Sequence, residues 1–436
     1  MVGFSYPADL HGLVRDKWKK RQWSKEIIPD LPGKKTFQEM IDVVYHASFL
    51  TEERRRMWFR VVYISEKEAK KTYIAKKAPG GIIKFSKPRD FNVNELLKLA
   101  PAADPTQVLI GVYPKDSRLK IWGLIEAGTE WWDFIRGQSS VAIAPPNAFT
   151  VSSKTPGQIS ITRSGILLLI LDQGKVIDSS SEVFSKGPVA DFLKKDSRKF
   201  NQEIRKRLEA DGLDTKWIGN DSSDTNITHF LQRIVNRVRE KFHGGALIMV
   251  PDEIHANDTR LTDRVVIKYP CSYDCWSVLT DEYFTNIKSF ELSAPLSKKK
   301  EMTSREYRDY QNARFEHERA EEMIKRAAGF LSSLTAVDGA VVITDRFRLL
   351  GFGAEIVAVS PSLKRVVMIT DFEKSIGEYR DVELFGTRHR SAFRFCSSFE
   401  NSVAFIVSQD GEIRIAKRVG SEVLVWSNIN VGSLGF

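Results

Sequence analysis

The stretch Asp338-Gly339-Ala340, opening onto the apolar run Val341-Val342-Ile343, is answered further along the chain by Gly386-Thr387-Arg388-His389-Arg390-Ser391-Ala392. Alone, an Asp-Gly pair is a turn signal and a basic triplet is a solvated surface. Together they make a chemical set. A carboxylate at a strand entrance can hold a metal, Gly339 lets backbone come close to a ligand, and Arg-His-Arg supplies cationic donors for phosphate oxygens. Such a set suits nucleotidyl transfer.

Working outward, Thr303 with Glu306 forms a capping box that starts a helix. Met323, Ala327, Phe330 or Leu331, and Leu334 form the stripe that docks this helix on a sheet. The strands expected after it are Ala340 to Thr344, Glu355 to Val359, Val366 to Ile369, Val403 to Ser408, Ile413 to Lys417 and Val423 to Trp426. A helix beside a mixed sheet is an α/β domain, expected over 303–436. Within it, Gly351-Phe352-Gly353-Ala354 is either a plain hairpin turn or a place where backbone approaches a ligand.

Upstream, Ser293 to Lys300 is polar, holds a proline and ends in three lysines, so a flexible link and domain boundary are expected there. Residues 1–295 then form an α+β region, divisible near 190. Its first 60 residues read as helical or mixed, with helix-spaced Met40, Val43, Val44 and Ala47, and Arg54-Arg55-Arg56 as a solvated turn before a Trp58 to Ile64 strand. From 100 to 180 short strands separated by turns suggest a β-meander, with Trp131-Trp132 as core aromatics or a stacking pair. Helical periodicity from Ser197 to Phe242, broken near Gly212 to Asp224, leads through His243-Gly244-Gly245 into the apolar run Ala246 to Val250. That order of helix, small-residue turn and strand echoes the approach to Asp338, with His243 in the place of the carboxylate and no second Arg-His-Arg downstream.

The 436 residues suit two or three domains, and 42% hydrophobic content is ample to bury them. No apolar run reaches the ~18 residues of a membrane span, and the N-terminal residues lack a signal-peptide core, so a soluble cytoplasmic chain without membrane contact is expected. Cys271, Cys275 and Cys396 have no metal-ligand spacing and read as reduced thiols. The net charge of +10 suits anionic ligands or an acidic partner, but no nucleic-acid motif accompanies it, and nucleic acid is not an expected partner.

The paired motifs resemble the diadenylate cyclase (DAC) domain, whose signatures are DGA and GTRHR in this order. The resemblance covers 303–436. It implies that each domain binds one ATP and that two domains self-associate face to face, condensing two ATP into cyclic di-AMP and two pyrophosphates with Mg2+ or Mn2+. By the match, Asp338 holds the metal, with Arg388, His389 and Arg390 also catalytic. Gly339, Ala340, Gly353, Gly386, Thr387 and Ser391 contact the nucleotide. Where many membrane-linked relatives carry paired glutamates, this chain has Gln409-Asp410-Gly411, and Asp410 is either a second metal-side carboxylate or a turn tip. The Tyr6-Pro7-Ala8-Asp9-Leu10 start and the His-Gly-Gly strand also resemble the DACNV sensor domain found N-terminal to some DAC domains, which implies a regulatory role for 1–295. The alternative to a regulated cyclase is a non-catalytic sensor that binds ATP or a cyclic dinucleotide.

Overall fold

The computed structural model describes residues 4–18, 29–75, 81–126, 146–153, 155–178, 181–184, 186–218, 222–241, 243–296, 303–357, 363–371, 376–409, 411–429 and 431. The chain is mixed α/β and divides between Ser179 and Ser180 into two units.

The first unit carries helices α1 (Leu10–Trp18), α2 (Lys34–Ser48), α3 (Glu66–Ala75) and α4 (Val93–Leu99). Its strands are β1 (Thr51–Glu52), β2 (Arg55–Arg56), β3 (Phe59–Tyr63), β4 (Ile82–Asp90), β5 (Val108–Lys115), β6 (Arg118–Glu126), β7 (Phe149–Ser153), β8 (Gln158–Arg163), β9 (Ile166–Asp172) and β10 (Lys175–Asp178). Eight of these form one sheet in the order β10-β9-β8-β7-β3-β5-β6-β4, in which β7 to β10 form a meander, whereas β5 and β6, expected in the same meander, are separated from it by β3, which runs parallel to β5. Phe37, Met40, Ile41 and Val44 fall on one face of α2 and are buried with Val61, Ile110, Phe149 and Leu169 of the sheet. Arg54-Arg55-Arg56 sits in a separate β1–β2 hairpin, where Glu53 and Arg54 take positive φ and all three arginines are exposed, as a solvated turn requires. Trp131 and Trp132 lie outside the described residues.

The second unit adds α5 (Pro188–Leu193), α6 (Ser197–Ala210), α7 (Ser222–Glu240), α8 (Thr259–Thr262), α9 (Trp276–Leu296), α10 (Ser304–Leu334) and α11 (Thr387–Ser398). Its strands are β11 (Gly245–Val250), β12 (Val265–Asp274), β13 (Ala340–Thr344), β14 (Arg348–Ile356), β15 (Arg365–Asp371), β16 (Ile376–Asp381), β17 (Val403–Val407), β18 (Ile413–Val419) and β19 (Glu422–Trp426). They form one sheet in the order β12-β14-β13-β11-β17-β18-β19-β15-β16. Leu247, Met249, Val341 and Ile343 share one face with the helices α6, α7, α9 and α10, while Ala246, Ile248, Val342 and Ile406 share the other with Ala392, Phe393 and Cys396 of α11.

The domain boundary therefore differs from the expected one. β11 lies inside the sheet, parallel to β13 and antiparallel to β17, and β12 pairs with β14, so residues from Ser180 belong with the C-terminal sheet. An all-apolar strand needs both faces covered and both edges paired, and only this sheet supplies them. Ser293 to Leu296, read as link, end α9, which packs on α10.

Thr303 and Glu306 make the expected capping box on α10, with Thr303 Oγ1 accepting from the Glu306 amide at 3.2 Å. The buried stripe is Ala313, Ala320, Ile324, Ala327, Ala328 and Leu331, whereas Met323 and Phe330 are exposed. The strand expected over Glu355 to Val359 begins earlier, at Arg348, because buried Phe347 takes a left-handed conformation (φ 56°) and turns the chain without glycine. Gly351-Phe352-Gly353-Ala354 is accordingly strand, not hairpin turn.

Candidate active site

The ends of three neighbouring strands define the site. β11 and β13 run parallel and begin at the same end of the sheet, with Ala246 opposite Ala340, so Gly244 and Asp338 each stand two residues before that pair. β17 ends there too, with Val407 opposite Gly245. The echo between the two loops is thus spatial as well as sequential, and the residue that matches Asp338 by register is Gly244, not His243.

Asp338 is exposed at the entrance of β13 and has no hydrogen bond or ion pair among the described residues. Gly339 has φ 113°, and a β-carbon on it would meet the carbonyl carbon of Gly353 at 2.7 Å and the Ala354 amide nitrogen at 2.8 Å. Only glycine permits that approach. Ala340 is buried between Ala246 and Ala354. Gly339, Ala340 and Gly353 are therefore brought together beside Asp338.

The second motif opens α11. Gly386 is the N-cap, exposed and in an extended conformation any residue adopts (φ −64°), and a β-carbon there would meet nothing within 4 Å. The fold itself does not demand glycine here, which leaves open space above a helix N-terminus whose unpaired amides favour anions. Thr387 is exposed and Ser391 half-buried on the same helix.

The three basic residues of the motif have different surroundings. Arg388 is half-buried, without an ion pair or hydrogen bond among the described residues, and its Nη1 lies against Gly244. His389 meets Arg414 Nη1 at 3.1 Å; an arginine only donates, so Nε2 of His389 accepts. Arg414 is fixed in turn by Glu412, with contacts of 3.0 and 2.6 Å, and lies over the Phe385 ring at 5.5 Å. Arg390 pairs with Glu383, which also accepts from Arg394 at 2.8 Å. A carboxylate so engaged holds Arg390 against the short turn Val382–Leu384.

Gly244, Arg414 and Glu412 were not singled out from sequence. For Gly244 the signal was present in the echo but assigned one residue early. Arg414 lies in β18, a strand that reads as ordinary alternation, and Glu412 stands just before it.

Asp410 lies outside the described residues. Among the described residues no group of three or more His, Cys, Asp or Glu could hold a metal ion. A magnesium-type ion that arrives with phosphates needs only one or two carboxylates from the protein. Asp338 fits that requirement.

A family model described as Probable sensor domain DACNV matches residues 26–126. These residues lie in the first unit and include α2 and the strands β1 to β6. Neither Tyr6 to Leu10 nor the His243 strand, the two stretches that suggested this family, falls within the matched residues. No curated protein and no solved structure matches the chain. Among the described residues no helix is long and apolar enough to cross a membrane. The identification that follows is limited to one segment: residues 26–126 are similar to a sensor domain of the DACNV type.

Proposed function

We propose that the second unit is a diadenylate cyclase whose activity is regulated by the first. The observation that carries this reading is that Asp338 and Arg388, drawn from two distant motifs, stand at the same end of two adjacent parallel strands, each without a partner among the described residues. An uncommitted carboxylate and an uncommitted guanidinium beside a glycine-lined backbone suit a metal-bound nucleotide triphosphate. The sensor-type match at 26–126 supports regulation by the first unit.

In the proposed reaction the 3′-hydroxyl oxygen of one ATP forms a bond to the α-phosphorus of a second and pyrophosphate leaves. The reciprocal attack closes the ring, giving cyclic di-AMP and two pyrophosphates. Bound Mg2+ or Mn2+ would neutralise phosphate charge. Asp338 would hold that ion, Arg388 would bind phosphate oxygens as charge moves onto the leaving group, and Gly339 with Gly353 would let the nucleotide lie against backbone. His389, fixed by Arg414, would donate through Nδ1. Such chemistry is mostly positioning.

Incubation of the full chain with ATP and Mg2+ or Mn2+, followed by mass detection, should yield cyclic di-AMP at a specific rate that falls on dilution, because two sites must meet. Binding of ATP without turnover would favour the non-catalytic sensor reading. Concentration-independent activity of a monomer would remove the self-association requirement.

A further inference from the structure

We propose that Tyr269 is the base-stacking residue of this site and sets its preference for a nucleotide over a bare polyphosphate. The inference rests on the nucleotide-binding reading above and deepens it.

Tyr269 lies on the edge strand β12 directly across from Phe352 on β14. Their rings stack with centroids 4.9 Å apart and planes 20° from parallel. Phe352 packs against the helix-covered core, so one face of the Tyr269 ring is held. The residue is nonetheless 52% exposed.

The location of the ring is the second observation. A β-carbon on Gly353, at φ 62°, would lie 3.1 Å from Tyr269 Cδ2 and 3.4 Å from Val337 Cγ1. Gly353 is in turn the residue whose carbonyl carbon closes on Gly339. The tyrosine therefore stands one glycine away from the DGA loop, with Val337, the residue that precedes Asp338, approaching the same glycine. An immobilised aromatic ring with a free face, reached across bare backbone from a metal-side carboxylate, is suited to a planar heterocycle joined to a metal-bound phosphate chain.

The test is isothermal titration of the full chain, in Mg2+, with a non-cleavable α,β-methylene ATP analogue and with inorganic triphosphate. Tyr269→Ala should weaken the analogue about tenfold, the size of one lost base–aromatic stack, and leave triphosphate unchanged. Tyr269→Phe should bind as the natural chain does. Should the alanine variant lose its cooperative thermal transition, Tyr269→Leu, which keeps bulk without a π face, takes its place with the same expectation. Equal analogue affinity in the natural and alanine or leucine chains overturns the proposal while leaving the cyclase reading intact. Parallel loss of analogue and triphosphate affinity also overturns it, since the base is then not what Tyr269 senses. Failure of the natural chain to bind either probe would instead overturn the nucleotide site itself.

Discussion

Gly244 makes room for Arg388: a β-carbon at residue 244 would lie 2.6 Å from the arginine Nη1, 2.8 Å from the Val407 carbonyl oxygen and 3.2 Å from the Gln409 amide. The guanidinium could swing away, but the backbone of β17 could not. Gly244→Ala also places a side chain at φ 66°, which costs roughly 1–2 kcal/mol. The variant should lose modest stability and much of the cyclase rate. Arg388→Ala should lose about 3–4 kcal/mol of transition-state stabilisation. Combined, the two should cost less than their sum, measured as kcat/KM in a double-mutant cycle, because both act through one guanidinium.

Asp338→Asn should abolish metal-dependent turnover and leave the free energy of unfolding within the small range of a surface substitution, about 0.5 kcal/mol. The side chain is exposed, so charge is lost without packing. Retained turnover in the asparagine variant would remove Asp338 from the mechanism.

Arg390 should matter less than Arg388. Its Glu383 partner is exposed, and such ion pairs contribute about 0.2–1 kcal/mol. Arg390→Ala should therefore lower stability slightly, and Glu383→Gln somewhat more because it also releases Arg394, each with a smaller fall in rate than Arg388→Ala. An equal fall at both arginines would mean that Arg390 leaves Glu383 when the nucleotide binds.

Asp345, at the far end of β13, should make the fold pH-dependent. It is buried, neither carboxylate oxygen has a hydrogen-bond partner, and Lys195 Nζ is 4.0 Å away. Burial pushes its pKa up to about 6, with Asp196, Asp252 and Glu253 adding to the rise and Lys195 opposing it. The folded state then holds a proton that the unfolded chain releases near 3.8. Its contribution is present below that value and is lost as pH rises through about 6, a change on the order of 3 kcal/mol. Urea titrations at pH 4.5 and 7.5 should show Asp345→Asn relieving the cost at the higher pH. An unchanged difference between the two pH values would assign the dependence elsewhere.

Truncation should discriminate between the two boundaries. A chain beginning near Ser297 lacks β11 and β12 and leaves edges of β13, β14 and β17 unpaired, so it should be insoluble or unfolded. One beginning near Ser180 should show a cooperative melt and make cyclic di-AMP, at a rate that differs from the full chain if the first unit regulates it.

Much of this was legible before any coordinates, for physical reasons that differ by element. The α10 start was visible because Thr303 and Glu306 satisfy each other's backbone locally, and β13, β17, β18 and β19 because their apolar runs have no other use. β14 was displaced because the turn before it uses Phe347 instead of glycine. β16 and α11 were missed because Ile376 to Asp381 is polar on an edge strand, and Thr387 to Arg390 is too polar to reveal a helix. The domain boundary failed for another reason: Ser293 to Leu296 has the composition of a link, yet these residues end α9, which packs on α10. At the candidate site, Asp338, Gly339 and Arg388 could be named from their motifs, and the structure describes where each of them stands. The cradle at Gly244 and the Arg414–Glu412 brace could not be named, since each depends on which strand lies beside which.

The central position of β11 also dictates an order of events during synthesis. Gly245 to Val250 leaves the ribosome long before either strand that flanks it, and its partners are residues 340–344 and 403–407. Until the second arrives, an uncharged, wholly apolar strand waits with an open edge, the condition under which chains pair wrongly or aggregate. Contacts so distant in sequence also make for slow closure. Nascent chains halted before Val403 should therefore associate with one another or with chaperones, and those extended past Val407 should be released.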